Sequence, residues 1–410
     1  MEVGIEAINA YGGQAFIDVR ELFEKRGLDM GRFENLMMQK KSVGLPCEDP
    51  VTFAVNAAKP IVDALTKDDC SRIELVITST ESGLDFGKSL STYIHDYLKL
   101  SRNVRLFEIK QACYGGTAAF QMAANFIVSG ASPGAKALVV ATDIARAAAK
   151  GTYGEPSQGV AAVAMLVSDA PHILKLDHGA SGYYGYEVMD TCRPLPELET
   201  GDPDLSVLAY LECVEATFRA YCERVEGADY ASTFDYLGFH TPFAGMVKGA
   251  HRNAMRKFKK APAAEIDSDF QRRVAPSLRY CVEVGNVYSA TLYLALCGLI
   301  DHAPLNRPSR VGMFSYGSGC ASEFYSGIIT PESRRRLAAM HIAERLAERQ
   351  YLDIDHYDRI LDLNMEWIFG VQNKKVDHTP YRDLYDRQFA GRGLLVLKEV
   401  KGFHRTYEWS

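Results

Sequence analysis

The segment 111–120, QACYGGTAAF, places one cysteine directly before two glycines and a run of small residues. Residues 104–109 before it are mostly apolar and predict a strand, and the residues after it have helical spacing. Cys113 is therefore predicted at a strand-to-helix turn, where the helix dipole lowers the pKa of a thiol. This setting suits a nucleophile, although a cysteine is more commonly a small buried hydrophobic residue.

Other polar residues lie where predicted strands end or glycines cluster. They are Glu81 in TSTESG, His240 in LGFHTPF, Asn286 in GNVYSA, and Gly317 and Ser318 in SYGSG. The ordinary alternatives are a helix N-cap neighbour for Glu81, a structural histidine for His240, and turn residues for the others. Together with a cysteine they could perform thioester chemistry. A thiolate accepts an acyl group, a carboxylate removes an α-proton, and an imidazole, an amide and backbone N–H groups stabilise the developing oxyanions.

The elements that position these residues alternate along the chain. Strands are predicted at 72–80, 104–109, 136–145, 160–168, 310–319 and 393–409, and helices at 88–100 and 207–225. Residues 171–205 are rich in Gly, Pro and Asp and predict a loop or crossover region. Apolar strands that alternate with helices predict a parallel-rich sheet covered by helices. We expect two α/β halves, residues 1–170 and 171–410.

The composition narrows the class of protein. A chain of 410 residues with a net charge of −6 is unlike a nucleic-acid binder, which is usually basic. The sequence has neither a signal peptide nor an apolar run long enough for a membrane span, so we expect a cytoplasmic protein. Its nine cysteines have irregular spacing without C-x-x-C, and the histidines are scattered, so neither a disulfide framework nor a metal site is expected.

Six stretches, in order, resemble the motifs of 3-hydroxy-3-methylglutaryl (HMG) synthases, a family with the thiolase fold. They are TSTESGLDFGKS, ACYGGTAA, FHTPFAGMVK, GNVYSATLY, GMFSYGSG and FHRTYEW. The resemblance runs over nearly the whole chain. It implies two similar α/β halves in a five-layered αβαβα arrangement, and a homodimer.

The resemblance also implies a mechanism. Cys113 accepts an acetyl group, and Glu81 then removes a proton from its methyl group. The enolate attacks the β-carbonyl of an acetoacetyl thioester, which His240 polarises and whose alkoxide it protonates, while Asn286 helps to hold the acceptor. The amides of Cys113 and Ser318 form the oxyanion hole for the acetyl carbonyl, and water releases the product. No metal or redox cofactor is implied.

Members of the family work either on coenzyme A thioesters in the mevalonate pathway or on acyl carrier proteins (ACPs) in polyketide β-branching. Residues 18–60 and 182–206 resemble the second branch. The mevalonate enzymes usually have Gly-Leu-Gly-Gln where this chain has LMMQ at 36–39, an aromatic residue at Ala147 and a lysine near Gly245. The smaller Ala147 could leave room for a different acyl group.

We therefore expect donor and acceptor carrier proteins as partners. Carrier proteins are acidic, so basic side chains on this chain are candidates to dock them or to bind the phosphopantetheine phosphate. These candidates are Lys248, Arg32, Lys40, Lys41, Arg252, Arg256 and Lys259. The alternative for each is an ordinary solvated surface cation.

Three alternative functions remain. A mevalonate-pathway synthase would work on free acetyl-CoA and acetoacetyl-CoA. A ketosynthase also uses Cys, His and Asn, but it decarboxylates malonyl groups and has no need of Glu81. A non-catalytic scaffold that only binds carrier proteins would have no reason to keep Cys113, Glu81 and His240 together.

Overall fold

A computed structural model describes residues 2–145, 149–195, 198–367 and 369–410. The strands are β1 (Gly4–Tyr11), β2 (Ala15–Asp18), β3 (Lys40–Val43), β4 (Ile73–Ser79), β5 (Arg105–Ile109), β6 (Lys136–Ile144), β7 (Val160–Ser168), β8 (Leu174–Gly185), β9 (Thr191–Leu195), β10 (Leu198–Gly201), β11 (Tyr236–Phe239), β12 (Ser309–Gly317), β13 (Ala321–Ile329), β14 (Gln350–Tyr351), β15 (Asn373–Lys375), β16 (Leu395–Lys401) and β17 (His404–Trp409). The helices are α1 (Val19–Arg26), α2 (Met30–Leu36), α3 (Pro50–Asp63), α4 (Lys67–Ser71), α5 (Ser91–Tyr97), α6 (Gly115–Val128), α7 (Pro203–Arg224), α8 (Ala244–Ala254), α9 (Ala263–Asp269), α10 (Ala275–Leu278), α11 (Cys281–Val284), α12 (Thr291–His302), α13 (Pro331–Ala338), α14 (Ile342–Ala347), α15 (Ile354–Met365) and α16 (Arg382–Gln388).

The main sheet contains the same strand arrangement twice. Its order is β11-β12-β13-β8-β1-β7-β6-β4-β5. In the first half β4 and β6 are parallel, β6 and β7 antiparallel, and β7 pairs with the first strand, β1. In the second half β11 and β12 are parallel, β12 and β13 antiparallel, and β13 pairs with β8. The halves meet where β1 and β8 pair, so the predicted pair of similar halves is confirmed.

The helices and the two halves of the sheet form five layers, with apolar residues packed between them. Side chains alternate across a strand, so each half of the sheet presents two apolar faces. Helices α6 and α12 pack between the two halves, against the inner faces of β6 and β12. Helix α3 covers the outer face of the first half, and α7 and α8 cover that of the second. The order is αβαβα, the thiolase-like arrangement that the resemblance implies.

One prediction about the elements is wrong. Residues 171–205 contain β8, which lies in the main sheet, and the antiparallel pair β9 and β10. Their glycines resemble loop residues in sequence, but Gly182 is required by packing. A Cβ at Gly182 would overlap the backbone of Thr217 and Tyr221 in α7. The other predicted strands and helices are present, and all but the strand at 160–168 have shifted ends.

The C-terminal part of the chain packs on the first half. Strand β14 pairs with β2, and β16 contributes Leu395 and Leu397 to the apolar cluster around α3. The predicted unit 171–410 thus contains a segment that contacts the other unit. Within the described residues, none of the helices is both long and apolar enough to cross a membrane.

Candidate active site

The residues predicted to do chemistry lie beyond the ends of neighbouring strands. Glu81 follows β4 and Cys113 follows β5, and these strands are parallel. His240 directly follows β11 and Ser318 directly follows β12, a second parallel pair. Parallel strands end at one edge of a sheet, so each half brings two of these residues to its own edge.

Cys113 and Glu81 are in direct contact. The Cys113 Sγ donates a hydrogen bond of 3.0 Å to Glu81 Oε1. Burial, followed by the negative charge of Glu81, raises the pKa of the Cys113 thiol well above its usual value. The prediction that this position lowers the pKa of the cysteine is therefore wrong. The thiol is protonated at rest, and its proton faces the carboxylate that can accept it.

Glu81 is a half-buried carboxylate between opposite charges. Burial and then the charge of Asp143 raise the pKa of Glu81 to about 7, while Arg193 opposes this shift. A carboxylate with a pKa near neutrality is both ionised often enough and basic enough to take a proton at physiological pH. Arg193 also donates to the main-chain oxygen of Glu81 at 3.2 Å and pairs with Glu199 at 2.6 Å.

Asp143 holds the loop that carries Glu81 in place through hydrogen bonds. Sequence reasoning did not identify this residue. Its carboxylate is 0% exposed and accepts hydrogen bonds from Thr80 Oγ1, the Glu81 N–H and Ser82 Oγ. On its other side it accepts from the N–H and Oγ of Ser289. Asp143 thereby ties the Glu81 loop to the loop that follows Asn286. The available signal was an aspartate near the end of an otherwise apolar strand, β6.

The Cys113 loop is enclosed by two turns. A Cβ at Gly317 would lie 2.6 Å from both Gln111 O and Tyr114 N, so only glycine allows this approach. A Cβ at Gly116 would overlap the main-chain oxygen of Ser289. Close contact between these backbones places the Gly317–Ser318 turn on one side of Cys113 and the Asn286–Ser289 loop on the other.

The turn after β12 is held by Asp190, a second residue that the sequence did not single out. Asp190 is buried and accepts from Tyr316 Oη at 2.6 Å and from the Gly319 N–H at 2.9 Å. It lies in the stretch that looked like a loop, between β8 and β9. The turn carrying Ser318 is therefore fixed from both ends.

A buried carboxylate anchors the other end of the nucleophile loop. Tyr114 Oη and Gln121 Nε2 each donate 2.8 Å hydrogen bonds to Glu323 on β13. Burial raises the pKa of Glu323 to about 7. These bonds cross from the first half to the second and hold the start of α6 in place.

His240 is a buried histidine whose low pKa keeps its imidazole neutral. The residue is 2% exposed, and burial lowers its pKa to about 3. Its main-chain N–H donates a hydrogen bond to Phe314 O on β12, and its main-chain carbonyl accepts one from Tyr210 Oη at 2.6 Å. Its Nδ1 has no hydrogen-bond partner among the described residues. A neutral ring of this kind can donate one N–H bond to a carbonyl oxygen.

Asn286 shapes the loop that carries it. Its Oδ1 accepts from the Tyr288 N–H at 3.0 Å and from Thr291 Oγ1 at 2.9 Å. The Asn286 main-chain N–H donates to Ser157 O, and its main-chain carbonyl accepts from the Gly159 N–H. Because the side-chain oxygen serves the turn, the amide nitrogen is the group that can donate to a substrate.

The basic residues proposed for docking occupy different environments. Lys41 is 3% exposed and donates to Glu155 O and Tyr357 Oη, so its assignment to carrier docking is wrong. Arg32 and Arg256 are exposed. Lys248 is partly exposed on α8, and its Nζ lies 3.6 Å from Asp267 Oδ1.

Two of the remaining candidates lie close to carboxylates, and the third is exposed to solvent. Lys40 Nζ lies 3.6 Å from Glu283, Lys259 Nζ lies 2.6 Å from Glu265, and Arg252 is exposed. Ala147 lies outside the described residues.

Gly245 lies where α8 contacts α2, near the position at which the mevalonate enzymes are expected to have a lysine. A Cβ at Gly245 would overlap the main-chain oxygen of Asn35, because α8 and α2 are in contact there. A lysine at this position would push α2 away. The difference from the mevalonate pattern is thus tied to the packing of residues 30–36.

Comparisons with known proteins agree with this geometry. Residues 1–171 match the family model described as hydroxymethylglutaryl-coenzyme A synthase N terminal, and residues 250–407 match hydroxymethylglutaryl-coenzyme A synthase C terminal. The chain is 53% identical to the polyketide biosynthesis 3-hydroxy-3-methylglutaryl-ACP synthase PksG of Bacillus subtilis, covering 100% of this chain and 99% of that protein. It is 35% identical to the hydroxymethylglutaryl-CoA synthase of Enterococcus faecalis, covering 87% and 91%.

A solved structure gives the same result. The HMG synthase of the curacin biosynthetic pathway, crystallised in complex with acetyl donor-ACP, superposes with a TM-score of 0.97 and 55% identity over 100% of both chains. Sequence and structure agree from end to end, so the chain belongs to the hydroxymethylglutaryl-CoA synthase family.

Proposed function

We propose that this chain is a 3-hydroxy-3-methylglutaryl-ACP synthase that installs β-branches during polyketide biosynthesis. The observation that carries the proposal is the difference in sequence identity between two groups of relatives. Identity is 53–57% to relatives whose names or titles specify ACP or the curacin pathway. It falls to 35% for a coenzyme A synthase and 31% for a relative solved with 3-hydroxy-3-methylglutaryl coenzyme A.

In the first proposed step, an acetyl thioester on a donor carrier loads the enzyme. Glu81 takes the Cys113 proton along their existing hydrogen bond, and the sulfur attacks the acetyl carbonyl. The N–H groups of Cys113 and Ser318 stabilise the oxyanion. The phosphopantetheine thiolate leaves and takes up the proton, which returns Glu81 to its ionised form and leaves acetyl-Cys113.

In the second proposed step, Glu81 removes a proton from the acetyl methyl group. The enolate carbon attacks the β-carbonyl of an acetoacetyl or other β-ketoacyl group on an acceptor carrier. His240 donates its N–H to that oxygen, and Asn286 helps to hold the acceptor. His240 passes its proton to the new alkoxide and regains one from Glu81, which is thereby ionised again. Water then hydrolyses the thioester to Cys113, which releases the product as a carboxylic acid and restores the thiol. Acyl and proton transfers balance this sequence without a redox or metal cofactor.

Partner and location belong to the same proposal. The exposed Arg32 and Arg256, with Lys248, would face acidic carriers. We also propose a cytoplasmic homodimer. Two features support a dimer: β5 is the edge strand of the main sheet, and Phe86, in the loop after Glu81, is 95% exposed.

Intact-protein mass spectrometry tests the proposal. The protein is mixed with acetyl-loaded carrier protein or with acetyl-CoA, and Cys113→Ala serves as the control. An acetyl adduct on the wild type alone, formed faster from the carrier, supports the proposal. Equal or faster loading from acetyl-CoA would favour a mevalonate-pathway synthase. If folded protein gives no adduct from either donor, the scaffold alternative takes precedence.

A further inference from the structure

Tyr288 is a buried tyrosine whose hydroxyl has no hydrogen-bond partner among the described residues. The residue is 4% exposed, and charged groups lie close enough to act on its hydroxyl. Burial, followed by the charge of Glu199, raises the pKa of Tyr288 well above its usual value, and Glu81 and Asp143 add to the shift. The hydroxyl therefore keeps its proton. Buried tyrosine hydroxyls usually find a partner, so this one needs an explanation.

The backbone of Tyr288 is also unusual. Its φ is +50°, in the left-handed region that a bulky side chain rarely adopts. Two sets of hydrogen bonds hold it there. The Tyr288 N–H donates to Asn286 Oδ1, and the N–H and Oγ of the next residue, Ser289, donate to Asp143. Strained residues that are held this firmly are concentrated at functional sites.

The side chain is fixed as well. The Arg193 guanidinium lies over the Tyr288 ring, with its Cζ 5.2 Å from the ring centroid. The same guanidinium donates to Glu81 O and pairs with Glu199. The ring thus packs against the arginine that contacts Glu81. Gln158 donates a 2.8 Å hydrogen bond to Glu199 and so helps to hold that arginine's partner in place.

From this arrangement we infer that the Tyr288 hydroxyl donates a hydrogen bond to a carbonyl oxygen of the acceptor β-ketoacyl thioester. The inference rests on the proposed acetyl transfer and condensation. The acetyl carbonyl already has the N–H groups of Cys113 and Ser318. Tyr288 follows Asn286 by two residues, on the loop proposed to hold the acceptor. Arg193 is a positioning residue that keeps the ring over this part of the site.

The experiment compares Tyr288→Phe with the wild type in two half-reactions. Acetyl loading of Cys113 is followed by intact mass, and condensation is followed with pre-acetylated enzyme and the acceptor. Loading should stay within about twofold, whereas kcat/KM for the acceptor should fall about tenfold to a hundredfold. Unchanged condensation would overturn the inference, as would an equal loss in both half-reactions.

A matched variant separates a functional hydroxyl from a structural one. The buried Tyr221 Oη has a partner, Ser326 Oγ, at 2.9 Å. Tyr221→Phe should therefore lower Tm, whereas Tyr288→Phe should keep or raise it because no bond is lost. A larger loss of Tm in Tyr288→Phe than in Tyr221→Phe would assign the hydroxyl to structure.

The failure of the proposed carrier function is distinguishable. Both half-reactions are repeated with acetyl-CoA and acetoacetyl-CoA. A preference for coenzyme A substrates contradicts the carrier assignment, but the comparison between Tyr288→Phe and the wild type still decides the role of Tyr288.

Discussion

The Cys113 Sγ and the Glu81 Oε1 are 3.0 Å apart, and one proton lies between them. Both groups are half-buried, and their partial removal from water disfavours the charged form of each. Transfer of the proton would replace the Glu81 anion with the Cys113 anion without moving the negative charge far from Asp143 and Arg193. The same carboxylate can thus serve acetyl transfer first and methyl deprotonation second.

The rate of acetyl loading should follow the ionisation of Glu81. Burial raises its pKa to about 7, so the fraction able to accept the thiol proton falls as the pH drops through this value. We expect kcat/KM for loading to decrease about tenfold per pH unit well below the midpoint. Stopped-flow or quenched mass spectrometry between pH 5 and 9, roughly the range in which this group titrates, measures the profile. A flat profile down to the lower limit would contradict this role.

Two substitutions should move this profile in opposite directions. The charge of Asp143 raises the pKa of Glu81, and the charge of Arg193 lowers it. Asp143→Asn should therefore shift the acidic limb to lower pH, and Arg193→Gln should shift it to higher pH. Both variants lose hydrogen bonds to the Glu81 loop, so maximal rates also fall, but a general loss of geometry does not produce shifts of opposite sign. Shifts in the same direction would reject the electrostatic account.

Two glycines of α8 provide a matched test of how α2 packs. A Cβ at Gly245 would overlap Asn35 O, whereas one at Gly249 would meet nothing within 4 Å. Gly245→Ala should destabilise the protein by about 1–3 kcal/mol because the two backbones must separate. Gly249→Ala should stabilise it by about 0.5–1 kcal/mol through the higher helix propensity of alanine. Chemical denaturation of both variants measures the difference, and equal effects would show that the α2 contact is unimportant.

Charge reversal on the outer face of the second half should weaken carrier docking. Arg256 is exposed beyond α8, on the side of the molecule opposite the small sheet of β15, β16 and β17. Arg256→Glu should lower kcat/KM for acetyl-carrier about three- to tenfold and leave loading from acetyl-CoA unchanged. Lys375→Glu, on β15, is the control and should change neither. Equal losses with carrier and acetyl-CoA would mean that Arg256 acts on the site rather than on docking.

The sequence was informative where chemistry depends on residue type and local order. Cys113, Glu81, His240, Asn286 and Ser318 follow strands or glycine-rich turns that apolar runs and glycines mark clearly. The repeated order of strands and helices likewise predicted a sheet of two halves. These features depend on neighbours within a few residues, which a single sequence displays.

The tertiary structure decided what those residues experience. Cys113 is a protonated thiol because burial and Glu81, 32 positions away along the chain, raise its pKa. Lys41 looked like a surface cation, but it is enclosed by Glu155 and Tyr357. Asp143 and Tyr288 gained importance only from contacts between distant loops. Proton affinity and burial are set by groups that folding brings together. The sequence by itself therefore singled out the candidate residues, and the fold determined their protonation and partners.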